Sequence, residues 1–284
     1  MLKLIRNFLP FKAIGDKPFA RMLNYLDIFG IFQVDPFGYS LLVKRIIVFV
    51  AGWPTYWRLA VANKLTIEGG SYLKDLPNTN VLFISNHQTY FADVITFYHI
   101  FSAAKWGMFN KLYPFYLFSP RAKTFYVAAR ETMKSGFLPK MFALAGAIMV
   151  DRSWRAEGKE VQREVDTSAG DNLKKGLNYG WVVTFPQGTT TAYAPIRKGT
   201  AHIIKDNNPV VVPVVIDGFR RAFNKTGLSY KKRNTHLKVR FKQPIYFNKD
   251  KPIEEIIKIV THIIEQNVPE NVAEWKAEAE NNIS

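Results

Sequence analysis

A histidine acts as a base near neutral pH when one ring nitrogen is held by an acceptor and the other is left open, and a carboxylate is a common holder. His87 lies in Asn86-His87-Gln88-Thr89-Tyr90-Phe91-Ala92-Asp93, directly after the apolar run Val81-Leu82-Phe83-Ile84-Ser85. It is the one histidine of five in a loop directly behind a predicted strand with a carboxylate close by; His99, His202, His236 and His262 have no such setting. Taken alone, a histidine near an aspartate is more often structural than catalytic. Pro186-Gln187-Gly188-Thr189 reads as a tight turn whose glycine lets backbone amides approach a phosphate or an oxyanion, although four such residues in isolation more often make a plain turn. Arg152, Arg197 and Lys198 lie near predicted strand ends and are candidates to neutralise a phosphate, each weighed against a solvated surface charge.

Other chemistries find no residues. The chain has no cysteine, which removes disulfides, thiolate nucleophiles and Cys-ligated zinc, and fits a reducing compartment. There is no Gly-x-Ser-x-Gly elbow, no Gly-x-Gly-x-x-Gly and no phosphate loop ending in Gly-Lys-Ser/Thr. The histidines lack metal-ligand spacing and no HExxH occurs, so no metal is expected.

The elements that must position these residues read as α/β, a mostly parallel or mixed sheet covered by helices. Strands are expected at 81–85, 148–150, 181–185, 210–216 and 237–241, the last half-exposed because it alternates. Helices are expected at 39–52, after Asp93, over 158–177 with Val161, Val165, Leu173 and Leu177 inward, and over 252–267. Open α/β sheets bind ligands beyond the carboxyl ends of their strands, and the polar clusters at 86–93, 150–152, 185–189 and 196–199 fall at such ends.

The 284 residues carry 39 Lys and Arg against 23 Asp and Glu, a net charge of +16. Such an excess implies an anionic partner, and 22 Phe, 13 Tyr and 6 Trp beside it suit a membrane interface. Nucleic acid is the alternative reading of bases mixed with aromatics. The chain divides into residues 1–64, an N-terminal helical membrane-associating segment, and residues 65–284, a catalytic domain closed by a C-terminal helix. The first 64 residues hold nine Lys/Arg against three Asp and no Glu, and Met1, Leu4, Ile5, Phe8, Leu9 and Phe11 interleave with the bases as in an interfacial helix. The competing reading is that these helices pad the core. No run of about 20 apolar residues occurs, and Lys3, Arg6, Lys12 and Lys17 break up any signal-peptide core. The expected location is therefore the cytoplasmic face of a membrane, peripheral or monotopic.

In order, Ser85-Asn86-His87-Gln88-Thr89 with Asp93, Gly146-Ala147-Ile148-Met149-Val150-Asp151-Arg152, Phe185-Pro186-Gln187-Gly188-Thr189 and Val211-Val212-Pro213-Val214 resemble the four blocks of the glycerolipid acyltransferases. These are the PlsC-like enzymes, which include 1-acyl-sn-glycerol-3-phosphate acyltransferases. Ile196-Arg197-Lys198-Gly199 resembles the segment that follows the third block, and the likeness spans about residues 65–245. Each block alone is weak, but four in order are specific. The resemblance implies His87 as base, Asp93 as its orienting acid, and an acceptor surface of Arg152 with Gln187, Gly188 and Thr189 of the third block; Arg197 and Lys198, as bases near the strand ends, are expected to join it. It implies an acyl-CoA or acyl-carrier-protein co-substrate, a lysolipid acceptor, and no cofactor. Two departures stand out. The family spacing puts the acid at position 92, which is Ala92, so the loop after His87 must hold an extra residue or the first helical turn must distort. The third block usually reads Phe-Pro-Glu-Gly-Thr-Arg, whereas here Gln187 replaces the acid and Thr190 the arginine, a bidentate phosphate fork. The expected reaction is acyl transfer to 1-acylglycerol-3-phosphate. The alternatives are another lysolipid or an amino-acid lipid as acceptor, and a non-catalytic basic module that binds membrane or nucleic acid.

Overall fold

The computed structural model describes residues 33–130, 136–151, 155–156, 159–160 and 167–269. Arg152 and residues 1–32 of the expected membrane segment lie outside them. A mixed seven-stranded sheet forms the centre, in the order β1 (Lys64–Glu68), β9 (His236–Phe241), β8 (Val210–Asp217), β2 (Val81–Ser85), β7 (Trp181–Thr184), β3 (Thr124–Ala129) and β4 (Ala147–Val150). All neighbours are parallel except β8 and β9, so β2, β3, β4, β7 and β8 end at one common edge. β2 lies between β7 and β8 and is buried on both faces, which is why its sequence is a continuous apolar run and not an alternation. Val81 and Phe83 enter one core cluster and Leu82 and Ile84 the other, as the two-residue period of a strand requires.

Helices cover both faces. On one, α2 (Ala92–Lys105) packs Val94, Phe97, Tyr98 and Phe101 against the sheet. On the other lie α4 (Thr167–Tyr179), α5 (Lys198–Asn207) and α7 (Ile253–Ile263), through Leu173 and Leu177, Ala201 and Ile204, and Ile256 and Val260. Two shorter helices are α3 (Phe137–Leu144), before β4, and α6 (Phe219–Ala222), after β8.

α1 (Leu41–Tyr56) runs through Pro54 into a π-helical turn, Trp57–Val61, and lies outside α2. It turns Lys44 and Gly52 inward while Leu42, Val43, Ile46, Phe49, Val50 and Trp53 stay exposed, the reverse of an ordinary surface helix. Two polar contacts pin it. The Lys44 ammonium donates to Thr124 O at 2.6 Å over the ring of Phe125, and Thr55 Oγ1 lies 2.8 Å from His99 Nε2 on α2. His99 Nδ1 is in turn 2.7 Å from the Tyr116 hydroxyl, and burial pushes this imidazole down to about 3, so it is a neutral structural linker. At Gly52 the bare backbone packs against the Leu117 methyl groups, which a Cβ would push aside.

The expected strands at 81–85, 148–150, 181–185, 210–216 and 237–241 appear within one residue of their predicted bounds. β1 and β3 were not foreseen. The helix expected over 158–177 needs correction. The helix found there is Thr167–Tyr179, and β5 (Arg155–Ala156) and β6 (Lys159–Glu160) pair as antiparallel strands within the expected span and just before it. Val161 and Val165 lie outside the described residues.

Candidate active site

The chain leaves β2 at Ser85 and is caught at once. The Asn86 side chain accepts from Ile216 N at 2.8 Å and donates to Ile216 O at 2.9 Å, which clamps the loop to the end of β8. His87 follows at the common carboxyl edge. The loop runs outward through Tyr90 and Phe91, whose amides donate to Lys225 O and Thr226 O, and α2 then starts at Ala92. Those residues take up the extra position that the departure at Ala92 demands. Asp93 in the first turn of α2 therefore points back at the loop, and its Oδ2 lies 2.8 Å from His87 Nδ1.

Asp93 is fully buried and its carboxylate is saturated. Oδ2 also accepts from the backbone amides of Gln88 at 2.6 Å and Thr89 at 3.0 Å, and Oδ1 accepts from Thr89 Oγ1 at 2.7 Å. An acceptor-only carboxylate requires the proton on Nδ1 of the neutral ring, which leaves Nε2 as the basic nitrogen. The imidazole is 13% exposed and stacks on Phe185 with centroids 4.0 Å apart and planes 20° apart. Phe185 follows β7, so the neighbouring parallel strand fixes the ring from its flat side.

His87 lines a cavity of about 1110 Å³ at this edge. Its apolar wall includes Phe91, Val94, Tyr126 and Phe185, and Gly188, Thr189, Arg197 and Lys198 also line it. Gly188 has φ +64°, the left-handed region that favours glycine, but its amide donates to Phe185 O at 2.9 Å. It shapes the turn, and that amide is not available to a ligand. Arg197 caps α5 with its amide on Pro186 O at 2.9 Å, and Lys198 sits exposed, 3.6 Å from Glu254.

Gln187 does not join this group. Its side chain is buried and turns away from the cavity, donating to Ala194 O and to Gln266 Oε1, both at 2.9 Å, so it braces the loop from behind. Arg152 lies outside the described residues; its neighbour Asp151 pairs with Arg130 at 3.0 Å on the cavity rim. Four contributors escaped the sequence reading: the Asn86 clamp, Thr89 on Asp93, the Phe185 stack, and Arg220 of α6, whose guanidinium donates to His87 O at 3.2 Å. Asn86, Thr89 and Phe185 lie inside the recognised blocks and were legible as candidates there. Arg220 carries no local signal. Among the described residues no cluster of three or more His, Asp or Glu side chains is placed to hold a metal ion.

The family model described as Acyltransferase matches residues 64–217, from the first strand of the sheet to the end of β8. The 1-acyl-sn-glycerol-3-phosphate acyltransferase of Cocos nucifera is 24% identical over 227 residues, covering 78% of this chain and 63% of that protein. That of Limnanthes alba is 26% identical over 150 residues, covering 50% of each. The chain thus spans less than two thirds of the length of these relatives. Among solved structures, the 1-acyl-sn-glycerophosphate (LPA) acyltransferase PlsC from Thermotoga maritima is 18% identical, covers 83% of this chain and 81% of that one, and has a TM-score of 0.48. Since the matched segment is more than half of the chain and contains the His87–Asp93 pair, the chain belongs to the acyltransferase family.

Proposed function

We propose that this protein transfers a fatty acyl group from an acyl thioester to the hydroxyl of a lysolipid, with 1-acylglycerol-3-phosphate as acceptor. The observation that carries the reading is the saturated Asp93 carboxylate on His87 Nδ1, with the imidazole lining a cavity at the carboxyl edge. In this reading Nε2 takes the proton of the acceptor hydroxyl as its oxygen attacks the thioester carbonyl. The tetrahedral intermediate collapses to the ester and expels the thiolate, which recovers a proton from the imidazolium. No covalent acyl-enzyme is required. An amide of the 186–190 turn other than that of Gly188 would face the developing oxyanion. Arg197 and Lys198 supply positive charge at the cavity for an anionic headgroup. The donor is acyl-CoA or acyl-carrier protein.

The same reading places the protein on an anionic membrane surface, where its lipid substrates reside. Trp53, Trp57, Phe115 and Phe118 are exposed on α1, the π-helical turn and the turn Pro114–Phe118, and Phe49, Trp53 and Phe118 touch one another. No carboxylate occurs from Pro36 to Ile67 or from Val94 to Arg130, the two segments that build this face. Exposed aromatics among bases without acids suit the headgroup boundary of anionic lipid.

One observation favours a second acceptor. Thr190 stands where the resemblance expects arginine, and Gln187 faces inward, so a lysolipid without a phosphomonoester is the competing substrate. Acyl-CoA and acyl-carrier-protein consumption with a lysolipid panel decides between them. Phosphatidic acid formed faster than any other product supports the first reading, and preference for an uncharged or zwitterionic lysolipid supports the second. Absence of transfer to every lysolipid would remove both.

A further inference from the structure

We propose that Arg220 is a positioning residue that sets the distance between His87 and the 186–190 turn. This rests on the acyl-transfer reading of His87. Asp93 fixes the orientation of the imidazole, but every bond it accepts comes from residues 87–89, so it cannot hold that loop against any other strand end. The Phe185 stack joins the two loops, yet it is a contact between side-chain rings and does not tie one loop's backbone to the other's. Arg220 adds the directional link. Its Nη2 donates to His87 O at 3.2 Å and also to Thr190 O, so one guanidinium nitrogen holds the carbonyls of both loops.

The backbone around Arg220 is built for this reach. Gly218 turns the chain out of β8 at φ +89°, where a Cβ would collide with His236 O, and α6 starts immediately after it. The Arg220 amide donates to Gln88 Oε1 at 3.2 Å, while Gln88 Nε2 donates to Ile216 O at 3.0 Å. The ends of β2, β7 and β8 are thereby tied through one side chain. The adjacent Arg221 has a different task, pairing with Asp217 at 2.8 Å on the exposed side of α6. A guanidinium therefore meets the backbone at Thr190, the position where the third block lacks its own arginine, and it arrives from a different strand end.

The test compares the parent with Arg220→Ala and Arg220→Lys in the full chain. Turnover and KM are measured for donor and acceptor separately, with free guanidinium added in a second series. The imidazole N–H resonance of His87 is followed by NMR in the same samples. Misplacement of a base by about 1 Å costs up to ~100-fold, so Arg220→Ala is expected to lose roughly 10- to 100-fold in kcat while both KM values stay within about threefold. Arg220→Lys, which keeps the charge and a shorter reach, is expected to fold and to fall between the two. Free guanidinium should restore part of the alanine variant's turnover, and the His87 Nδ1–H signal should exchange faster in that variant. An active parent whose alanine variant keeps kcat and the unchanged His87 signal overturns the proposal, as does a rise in acceptor KM alone, which would make Arg220 a binding contact. A parent without turnover on any lysolipid counts against the acyl-transfer reading itself.

Discussion

Asp93 holds His87 through a carboxylate whose two oxygens take donors from His87, Gln88, Thr89 N and Thr89 Oγ1. Asp93→Asn replaces one acceptor oxygen by an NH₂ group, which opposes those donors and favours the wrong imidazole tautomer. The expected loss is roughly 10²- to 10⁴-fold in kcat with the fold intact, read by steady-state turnover alongside circular dichroism. A folded variant with near-parental kcat removes Asp93 from the orienting role. The pair was legible in the sequence because both partners belong to one short stretch, and the misfit at Ala92 left two ways to bring them together, an extra loop residue or a distorted first turn. Gln187 was read as part of the acceptor surface because a motif records a residue type but not the direction of its side chain; here Ala194 O and Gln266 draw it inward. Arg220 was invisible for a related reason. Its partners lie in two other strand-end loops, one 133 residues away at His87 and the other 30 residues away at Thr190, the residue that breaks the motif.

The elements that were legible are those whose pattern has one reading. β2, β7 and β8 are unbroken apolar runs because they are buried on both faces, and β9 alternates because it is half covered. β1, Lys64–Glu68, is paired on one side only at the sheet's end, and although Leu65 and Ile67 alternate with polar residues, five residues with two apolar positions make too short a pattern to stand out. α1 offers a different lesson, since its length was nearly readable but its inverted orientation depends on Lys44. Burial pushes the Lys44 ammonium down to about 7, against the opposing pull of Asp35. Between about pH 7 and the ordinary lysine value, the unfolded chain binds more protons than the folded one, so stability rises with pH across that window. Tyr98 and Tyr126, whose buried hydroxyls are pushed up, act with the opposite sign from about pH 10. Urea midpoints of the parent are therefore expected to increase between about pH 7 and pH 9, and Lys44→Met is expected to flatten that rise. An equal rise in both proteins contradicts the assignment to Lys44.

At the scale of the whole molecule, the helix that carries much of the aromatic face is tied to the body that carries His87, since α1 is pinned to α2 and β3 by Thr55 and Lys44. No helix among the described residues is long and apolar enough to cross a membrane. If the aromatic face seats on lipid, Trp53→Ser with Phe118→Ser should weaken binding to anionic vesicles by roughly 10-fold or more without changing the melting temperature, and added salt should weaken what remains. Sedimentation with vesicles of anionic and of zwitterionic lipid checks this, and undiminished binding of the double variant would locate the contact elsewhere, with residues 1–32 the next to be tested. The central claim, that His87 is the base for acyl transfer, has a more direct test. Parent and His87→Ala proteins are given a long-chain acyl-CoA or acyl-carrier protein with 1-acylglycerol-3-phosphate on anionic vesicles, and product is quantified over time. The account predicts that the parent forms phosphatidic acid while the folded, vesicle-bound His87→Ala protein loses at least ~10³-fold in rate; a His87→Ala protein that transfers acyl groups at the parental rate would contradict it.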